Sequence, residues 1–419
     1  MKALYSLWHS LRSLKGNQRA CVVTEPLWAI PYNLFLPFMS LYMSQTGLSD
    51  AQIGTVASLG LAMQFLWGLL SGAIVDKYGR RGTMLAFGLI SWTIPCGLWA
   101  AANGYWYFAA AAAINSMWRI TGNSFSCLIV EDGDTSLLIH IYTILNITGL
   151  LAGFLTPLAG LFMERFALVP VMRALFVFSA VLMTAKFLLQ YRLSRESGIG
   201  VKRRDECKGY SAITLAFGGW SAFTAALRQR RMLLCVLLMV LMTCFQTIQT
   251  NFWPLFVTAE YGISSAMLSL FPLVKAAVAL LAFFLIVPRI NFTNIRTPLM
   301  AGLMAQGLGL LLPLALLPAA ASAVWAVFLS VACDAFALAL LGPLTESLMS
   351  VSIPAGERAR INSLIFAVIL LVSTPAGWIA GQASERSRIF PLVLNLCLVA
   401  AEFAVAAGIA REFRKQSKG

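Results

Sequence analysis

Apolar residues come in long blocks along this chain, separated by short polar stretches. Each block exceeds the roughly 20 residues a helix needs to cross a bilayer, or comes within a turn of it. The pattern predicts twelve spans, at residues 21–44, 51–75, 83–103, 105–130, 136–162, 170–191, 232–257, 264–288, 297–317, 321–349, 360–382 and 389–410. A segment in lipid must satisfy its own backbone hydrogen bonds, and a helix does so. Porin-like alternation in segments of about ten residues is not seen. The expected fold class is therefore an all-α polytopic membrane protein.

One polar connection is long, 192–231, and it divides the spans six and six. The expected organisation is an N-terminal segment (1–20), a six-helix bundle (21–191), a linker (192–231), a second six-helix bundle (232–410) and a tail (411–419). A short internal repeat supports two related halves: "AGLFMER" (159–165) ends the fifth span and "AGQASER" (380–386) ends the eleventh, with Thr156-Pro157 and Thr374-Pro375 before them. Self-similarity at a fixed offset is the mark of internal duplication, although a match this short can also arise by chance. Two related six-helix halves are typical of secondary transporters.

Composition agrees with this class. The 419 residues are 59% hydrophobic and 11% charged, with mean hydropathy +0.79. Soluble domains carry about 25% charged residues. The net charge of +14 would suit nucleic acid if it were clustered on one domain. Instead, Lys and Arg collect on one side of the predicted topology: Lys77, Arg80 and Arg81, nine in 192–231, then Arg289, Arg296, Arg358, Arg360 and the C-terminal tail. The other side holds Arg165, Arg173, Arg386 and Arg388. The positive-inside rule then places both termini in the cytoplasm, in a plasma (inner) membrane. Residues 2–16 put Leu4, Trp8, Leu11 and Leu14 on one helical face, which suits either an amphipathic surface helix or a frayed end. Eight cysteines without CxxC or His–Cys spacing support neither a disulfide framework nor a zinc site. No cofactor is expected, no Walker sequence occurs, and the histidines, His9 and His140, form no catalytic constellation.

The charged turn "SGAIVDKYGRRGTM" (71–84) between spans two and three carries a more specific signal. Gly72, Asp76, Lys77, Gly79, Arg80 and Arg81 resemble the loop signature of the major facilitator superfamily, at the matching place in the topology. The resemblance implies twelve helices in two pseudo-symmetric bundles, alternating access, and a conformational latch on this loop. Gly72 is expected to allow close helix approach and Gly79 a positive-φ turn. Asp76 is expected to face a helix N-terminus. Arg80 is expected to pair with Glu131 or Asp132 at the inner end of span four. The plainer alternative is a set of positive-inside charges on a tight turn. The second half lacks the motif, with Pro288 and Asn291 near where its aspartate and glycine would stand.

Charges inside spans need partners or a wet cavity. Arg119 falls halfway along span four, in a polar stripe with Asn115, Gly122, Asn123 and Ser126. In the family, the first and fourth helices of each half line the cavity, which marks Arg119 as a pathway candidate against a structural ion pair. Lys275 in span eight and Asp334 in span ten lie near the midplane. Asp334 is the candidate proton carrier, either facing Arg119 across the cavity or bridged to Lys275. Span seven contributes Thr243, Gln246, Gln249, Thr250, Asn251 and Trp253, and span one Tyr32 and Asn33, as solute-binding groups. Glu25, Lys186 and Glu346 are placed near the inner boundary, where they can snorkel. Glu402 falls in span twelve, a peripheral helix in the family, and is assigned no role. "GFLTPLAG" (153–160) partly matches a span-five signature of drug/proton antiporters, or is a Gly/Pro kink.

The expected function is secondary active transport of a small polar or ionisable organic solute, proton-coupled and of undetermined direction. The protein is not expected to be an enzyme, and it is expected to act as a monomer without nucleic acid. A lipid or amphiphile flippase and a drug/proton antiporter are the alternatives, and a sensor without turnover is disfavoured by the loop motif.

Overall fold

The computed structural model describes residues 13–134, 137–207, 209, 230–286, 296–352 and 358–416. Among these the secondary structure is helical throughout. The amphipathic stretch before residue 13, and Pro288, Arg289 and Asn291, lie outside the described residues.

The helical passages are α1 (16–45), α2 (Asp50–Tyr78), α3 (Arg80–Ala100), α4 (105–130), α5 (138–166), α6 (Leu168–Leu193), α7 (Arg230–Tyr261), α8 (Ser265–Leu285), α9 (Arg296–Ala315), α10 (Val324–Ser352), α11 (358–386) and α12 (Phe390–Gln416). Ten of these passages contain a helix long and apolar enough to cross a membrane. The other two expected spans are present but broken. A 3-10 turn at Leu36–Phe38, with Pro37 inside it, interrupts α1, and α4 breaks at Ser116 and Met117. Proline and competing side-chain bonds cause both interruptions: the Ser116 hydroxyl donates to the Ala113 carbonyl at 2.5 Å.

Local chemistry sets several helix ends. Ser49 and Gln52 form a reciprocal capping box at the start of α2. Gly79, at φ 86°, ends α2 and starts α3, a conformation that favours glycine. Gly72 does not mark a close helix approach: a Cβ there would find only the Asn123 amide, 3.7 Å away. The close approach is at Gly54, as described below.

Helices α1–α6 pack among themselves, as do α7–α12, and the halves meet through α2 against α11, α5 against α8, and α1 against α7. The first half is held by an aromatic knot in which the Phe176 ring lies 5.2 Å from that of Phe35 and 5.3 Å from that of Tyr42. An echo between the halves was not visible in the residue pattern. Tyr42, near the end of α1, donates to the Trp99 carbonyl near the end of α3 at 2.6 Å. Tyr261, at the end of α7, donates to the Pro313 carbonyl near the end of α9 at 2.5 Å. The first and third helices of each half are thus tied by the same bond.

The 192–231 connection is more than a linker. Its Gly198–Glu206 segment is a helix, capped by Ser197 and packed on α2. This end of the molecule is called the linker end below, and the opposite one the far end.

Candidate functional site

At the far end the halves are in tight contact. In Gly54 of α2 a Cβ would lie 2.3 Å from the Gly377 carbonyl oxygen and 2.8 Å from Gly381 Cα, both on α11. Only a hydrogen fits there. Gly160 of α5 meets Ser269 of α8 in the same way, with 2.3 Å to its hydroxyl. Gly160 and Gly381 are the glycines of the repeated AGxxxER motif. The motif's glutamates also reach across: Glu385 accepts the Ala51 N–H in the first turn of α2 at 2.9 Å, and Glu164 accepts the Ser264 hydroxyl that caps α8 at 3.4 Å. Asp50 of α2 binds the Ser384 hydroxyl at 2.6 Å and the Arg388 guanidinium at 3.2 Å. The repeat is therefore a pair of matching seams, each joining a glycine contact to a carboxylate at a helix N-terminus.

Between the seams and the linker end lie connected cavities. One of about 420 Å³ is bounded by Asn33 of α1 and by Gln246, Gln249, Trp253 and Lys275 of the second half. A second, about 570 Å³, is bounded by Gln64, Asn115, Thr243, Thr250 and Asn251, and shares Gln246 and Thr250 with the first. A third, about 530 Å³, takes in Glu25, Trp28, Tyr32, Asn33 and Asn146. Ten residues expected as pathway or solute-binding groups line this space: Tyr32, Asn33, Asn115, Thr243, Gln246, Gln249, Thr250, Asn251, Trp253 and Lys275.

Three others are not among these lining residues. Asp334 is 5% exposed and bonds the Lys275 ammonium at 2.8 Å, while its second oxygen has no partner among the described residues. Lys275, 42% exposed at its side chain, presents this pair to the cavity. Of the two arrangements open to Asp334, the structure forms the one within the second half. Arg119 does not face Asp334: its Nε donates to Gln64 Oε1 at 3.1 Å and its guanidinium lies 4.3 Å from the Trp118 ring centre. The break at Ser116–Met117 re-aims the rest of α4, which a continuous helical wheel does not anticipate. Asn123 turns to Ser71 of α2, and Asn115 also donates to the Ser91 carbonyl of α3 at 2.7 Å.

Glu25 and Lys186 do not snorkel. They pair at 3.0 Å with side chains 14% and 6% exposed, and the ammonium lies 5.0–5.7 Å from the ring centres of Trp28, Phe125 and Phe187. The pair is largely buried at the edge of the third cavity, so each charge leans on the other. Glu346 is exposed, as a snorkelling side chain would be.

The charged turn forms a cluster at the linker end. Arg80, 3% exposed, pairs with Glu131 at 3.0 Å and with Asp76 at 2.9 Å. Asp76 also faces Arg203 of the linker helix at 3.8 Å, so the partners found for it are guanidinium groups rather than a helix N-terminus. A hydrogen bond to Glu206, then the charge of Asp76, holds Arg203 above the ordinary arginine range. Arg81 donates to the Tyr191 carbonyl at 2.9 Å and stacks over the Tyr191 ring at 3.9 Å.

Residues that sequence reasoning missed complete this cluster. Glu196 accepts the N–H groups of Arg80 and Arg81, at 2.7 and 3.0 Å, and so caps α3. Ser197 donates to Glu131, and Asp132, at φ 54°, accepts the Gly198 N–H at 2.5 Å. Ser197 followed by a short polar run is an N-cap signal that the linker reading passed over.

A chain of two six-helix bundles, closed at one end around a central cavity, has relatives among solved structures. A nucleoside transporter, NupG, aligns at TM-score 0.68 and 17% identity, covering 95% of this chain and 99% of that one. The POT family transporter PepTSo aligns at TM-score 0.72 and 13% identity, covering 96% and 98%. The human organic anion transporter MFSD10 aligns at TM-score 0.62 and 15% identity, covering 93% and 98%. At such identities the likeness concerns the fold alone. A Bacillus subtilis (strain 168) protein described as the uncharacterized MFS-type transporter YqjV is 28% identical over 86 residues, 20% of this chain and about a fifth (21%) of its own length. The sequence profile of the Major Facilitator Superfamily matches residues 28–377, most of the chain. The loop signature, the helix arrangement and that match agree: this chain belongs to the Major Facilitator Superfamily, a membrane transporter rather than an enzyme.

Proposed function

We propose that the chain moves a small polar or ionisable organic solute by alternating access, coupled to protons. The observation that carries this reading is the Lys275–Asp334 pair, half in the cavity and half in the wall. A carboxylate whose charge depends on one movable cation gains a proton when that cation leaves and loses it when the cation returns. A solute carboxylate or phosphate that draws Lys275 away would thereby load Asp334. Asn33, Asn115, Gln246, Gln249 and Asn251 supply the neutral hydrogen bonds that orient a polar solute, with Tyr32 and Trp253 as apolar walls. Asp76, Arg80, Arg81, Glu131 and Asp132 act as the conformational latch, and the far-end seams as the opposing closure.

In this reading the bundles are residues 21–191 and 232–410, joined by the 192–231 connection. The linker end and both termini are cytoplasmic, as the placement of Lys and Arg supports. The conformation described here is inward-facing, the membrane is the plasma membrane and the monomer is the working unit.

The test uses purified full-length protein in liposomes with an imposed pH gradient. Labelled uridine, dialanine and benzoate are the probes, sampling the classes suggested by nucleoside, peptide and organic anion transporters of this fold. The reading expects one probe to accumulate and to be released by a protonophore. Asp334→Asn is expected to abolish accumulation while keeping exchange of that probe across the membrane. Accumulation that survives in the asparagine variant overturns the role given to Asp334, and accumulation indifferent to the gradient overturns proton coupling.

A further inference from the structure

Glu402 lies near the midpoint of α12, 0% exposed, and both its carboxyl oxygens lack hydrogen-bond partners among the described residues. It does not face lipid. Helix α12 packs on α7, α9 and α11, and Glu402 is enclosed by that packing.

Among the described residues, the groups around it bring no counter-charge. From α7 the titratable neighbour is the Cys244 thiol, within electrostatic reach of Glu402. Helix α9 has one charged residue, Arg296, at its first position. On α11, Glu385 and Arg386 sit at the far end and Arg358 and Arg360 at the linker end. On α12 itself, Cys397 is exposed, and Arg411, Glu412, Arg414 and Lys415 follow two turns or more beyond Glu402, with Glu412 facing Arg230 at 3.7 Å. An ionised carboxylate in such a place is strongly disfavoured, and a carboxyl group there neutralises instead. A purely structural position would be better filled by leucine or glutamine, because an acid with both oxygens unpartnered contributes no bond.

Two buried amides lie between the cavity and the face of α12 that carries this acid. Asn395, two turns earlier on α12 and fully buried, donates to Gln249 Oε1 at 3.1 Å, and its own carbonyl oxygen has no partner among the described residues. Gln249 borders the central cavity. Asn395 and Glu402 are seven residues apart, so they share one face of α12, about 10 Å apart along its axis. Pro254, one turn past Gln249, has no N–H to give the Thr250 carbonyl, which weakens α7 beside this route.

We propose that Glu402 is a proton-binding site, neutral in this conformation and reached from the central cavity by way of Gln249 and Asn395. The step is a bare protonation: one proton from the cavity joins a carboxylate oxygen, and no other bond is made or broken. This site is separate from the Lys275–Asp334 pair and does not depend on which solute is carried.

Infrared difference spectroscopy of the purified full-length protein tests it without substrate, because a protonated carboxyl gives a C=O band apart from those of carboxylates. At neutral pH the parent protein is expected to show such a band, shifted in deuterated buffer, and Glu402→Gln is expected to remove it. Gln249→Leu is expected to keep the band and to slow its deuterium shift at least about tenfold, since the route is cut while the acid remains. If Glu402→Gln does not fold, dicyclohexylcarbodiimide on the parent protein gives the second readout: it modifies protonated carboxyls in apolar surroundings, and peptide mass spectrometry should find the adduct on Glu402. A band that survives Glu402→Gln, or a Glu402 left unmodified, overturns the proton on this residue. An unchanged deuterium shift in Gln249→Leu overturns the route through it.

Discussion

Gly54→Ala places one methyl group in the α2–α11 seam. The new Cβ would be 2.3 Å from the Gly377 carbonyl oxygen and 2.8 Å from Gly381 Cα, both backbone atoms that no rotamer change can move. Ordinary contact lies near 3.4 Å, so the helices must part by about 1 Å for the methyl to fit, and overpacking of this kind costs about 1–3 kcal/mol. The cost falls on the conformation in which the far end is shut and vanishes when that end opens. The ratio of shut to open molecules should therefore fall by about 5- to 150-fold. Spin labels at positions 46 and 387, in a background without the native cysteines, report the far-end separation by pulsed electron resonance. The expected result is a second, longer distance population in Gly54→Ala that the parent lacks. Gly60→Ala on the same helix, where a Cβ meets nothing within 4 Å, is the control and should leave the distribution alone. If both substitutions give the parent distribution, the seam does not set the conformational balance.

Two further substitutions probe the charged clusters. Arg80→Ala leaves the largely buried Glu131 without its cation and should lower stability by about 3–5 kcal/mol, read as a lower melting temperature; the Arg80→Ala/Glu131→Ala double variant should recover part of that loss, and a fully additive loss would show that the pair is not coupled. Lys186→Met leaves Glu25 among aromatic rings without its cation and should destabilise by a similar amount, whereas adding Glu25→Gln should restore most of the melting temperature; a double variant no better than the single one would refute the mutual dependence.

The residue pattern made the fold legible because lipid imposes a coarse rule. Twelve apolar blocks must be helices, and charge asymmetry orients them. Breaks such as Ser116–Met117 escaped it, since a serine bonding back to a carbonyl leaves no trace in hydropathy. Arg80–Glu131 could be anticipated because both residues fall at turns on the same side. Lys275–Asp334 was visible only as one of two pairings, since depth along a helix does not fix azimuth. The glycines and glutamates of AGxxxER were noticed as a repeat, but their use could not be read, because a contact between backbones depends on which helices meet. In the clamp of Glu196, Ser197 and Asp132, Asp132 was anticipated, as a possible partner of Arg80 rather than of the Gly198 N–H, but Glu196 and Ser197 were hidden by composition: a short polar helix outside the membrane looks like linker until Glu196 is seen on the N–H groups of α3.

That clamp changes what joins the two halves. With the Gly198–Glu206 helix fastened to α2 and α3, the anchored part of the first half ends at residue 206 rather than at 193, and the described part of the second half begins at residue 230. A chain cut between 206 and 230 would hold its halves together through their direct contacts, α2 on α11, α5 on α8 and α1 on α7. Co-expressed fragments 1–206 and 230–419 would then measure the bare affinity of one bundle for the other, a quantity the intact chain conceals.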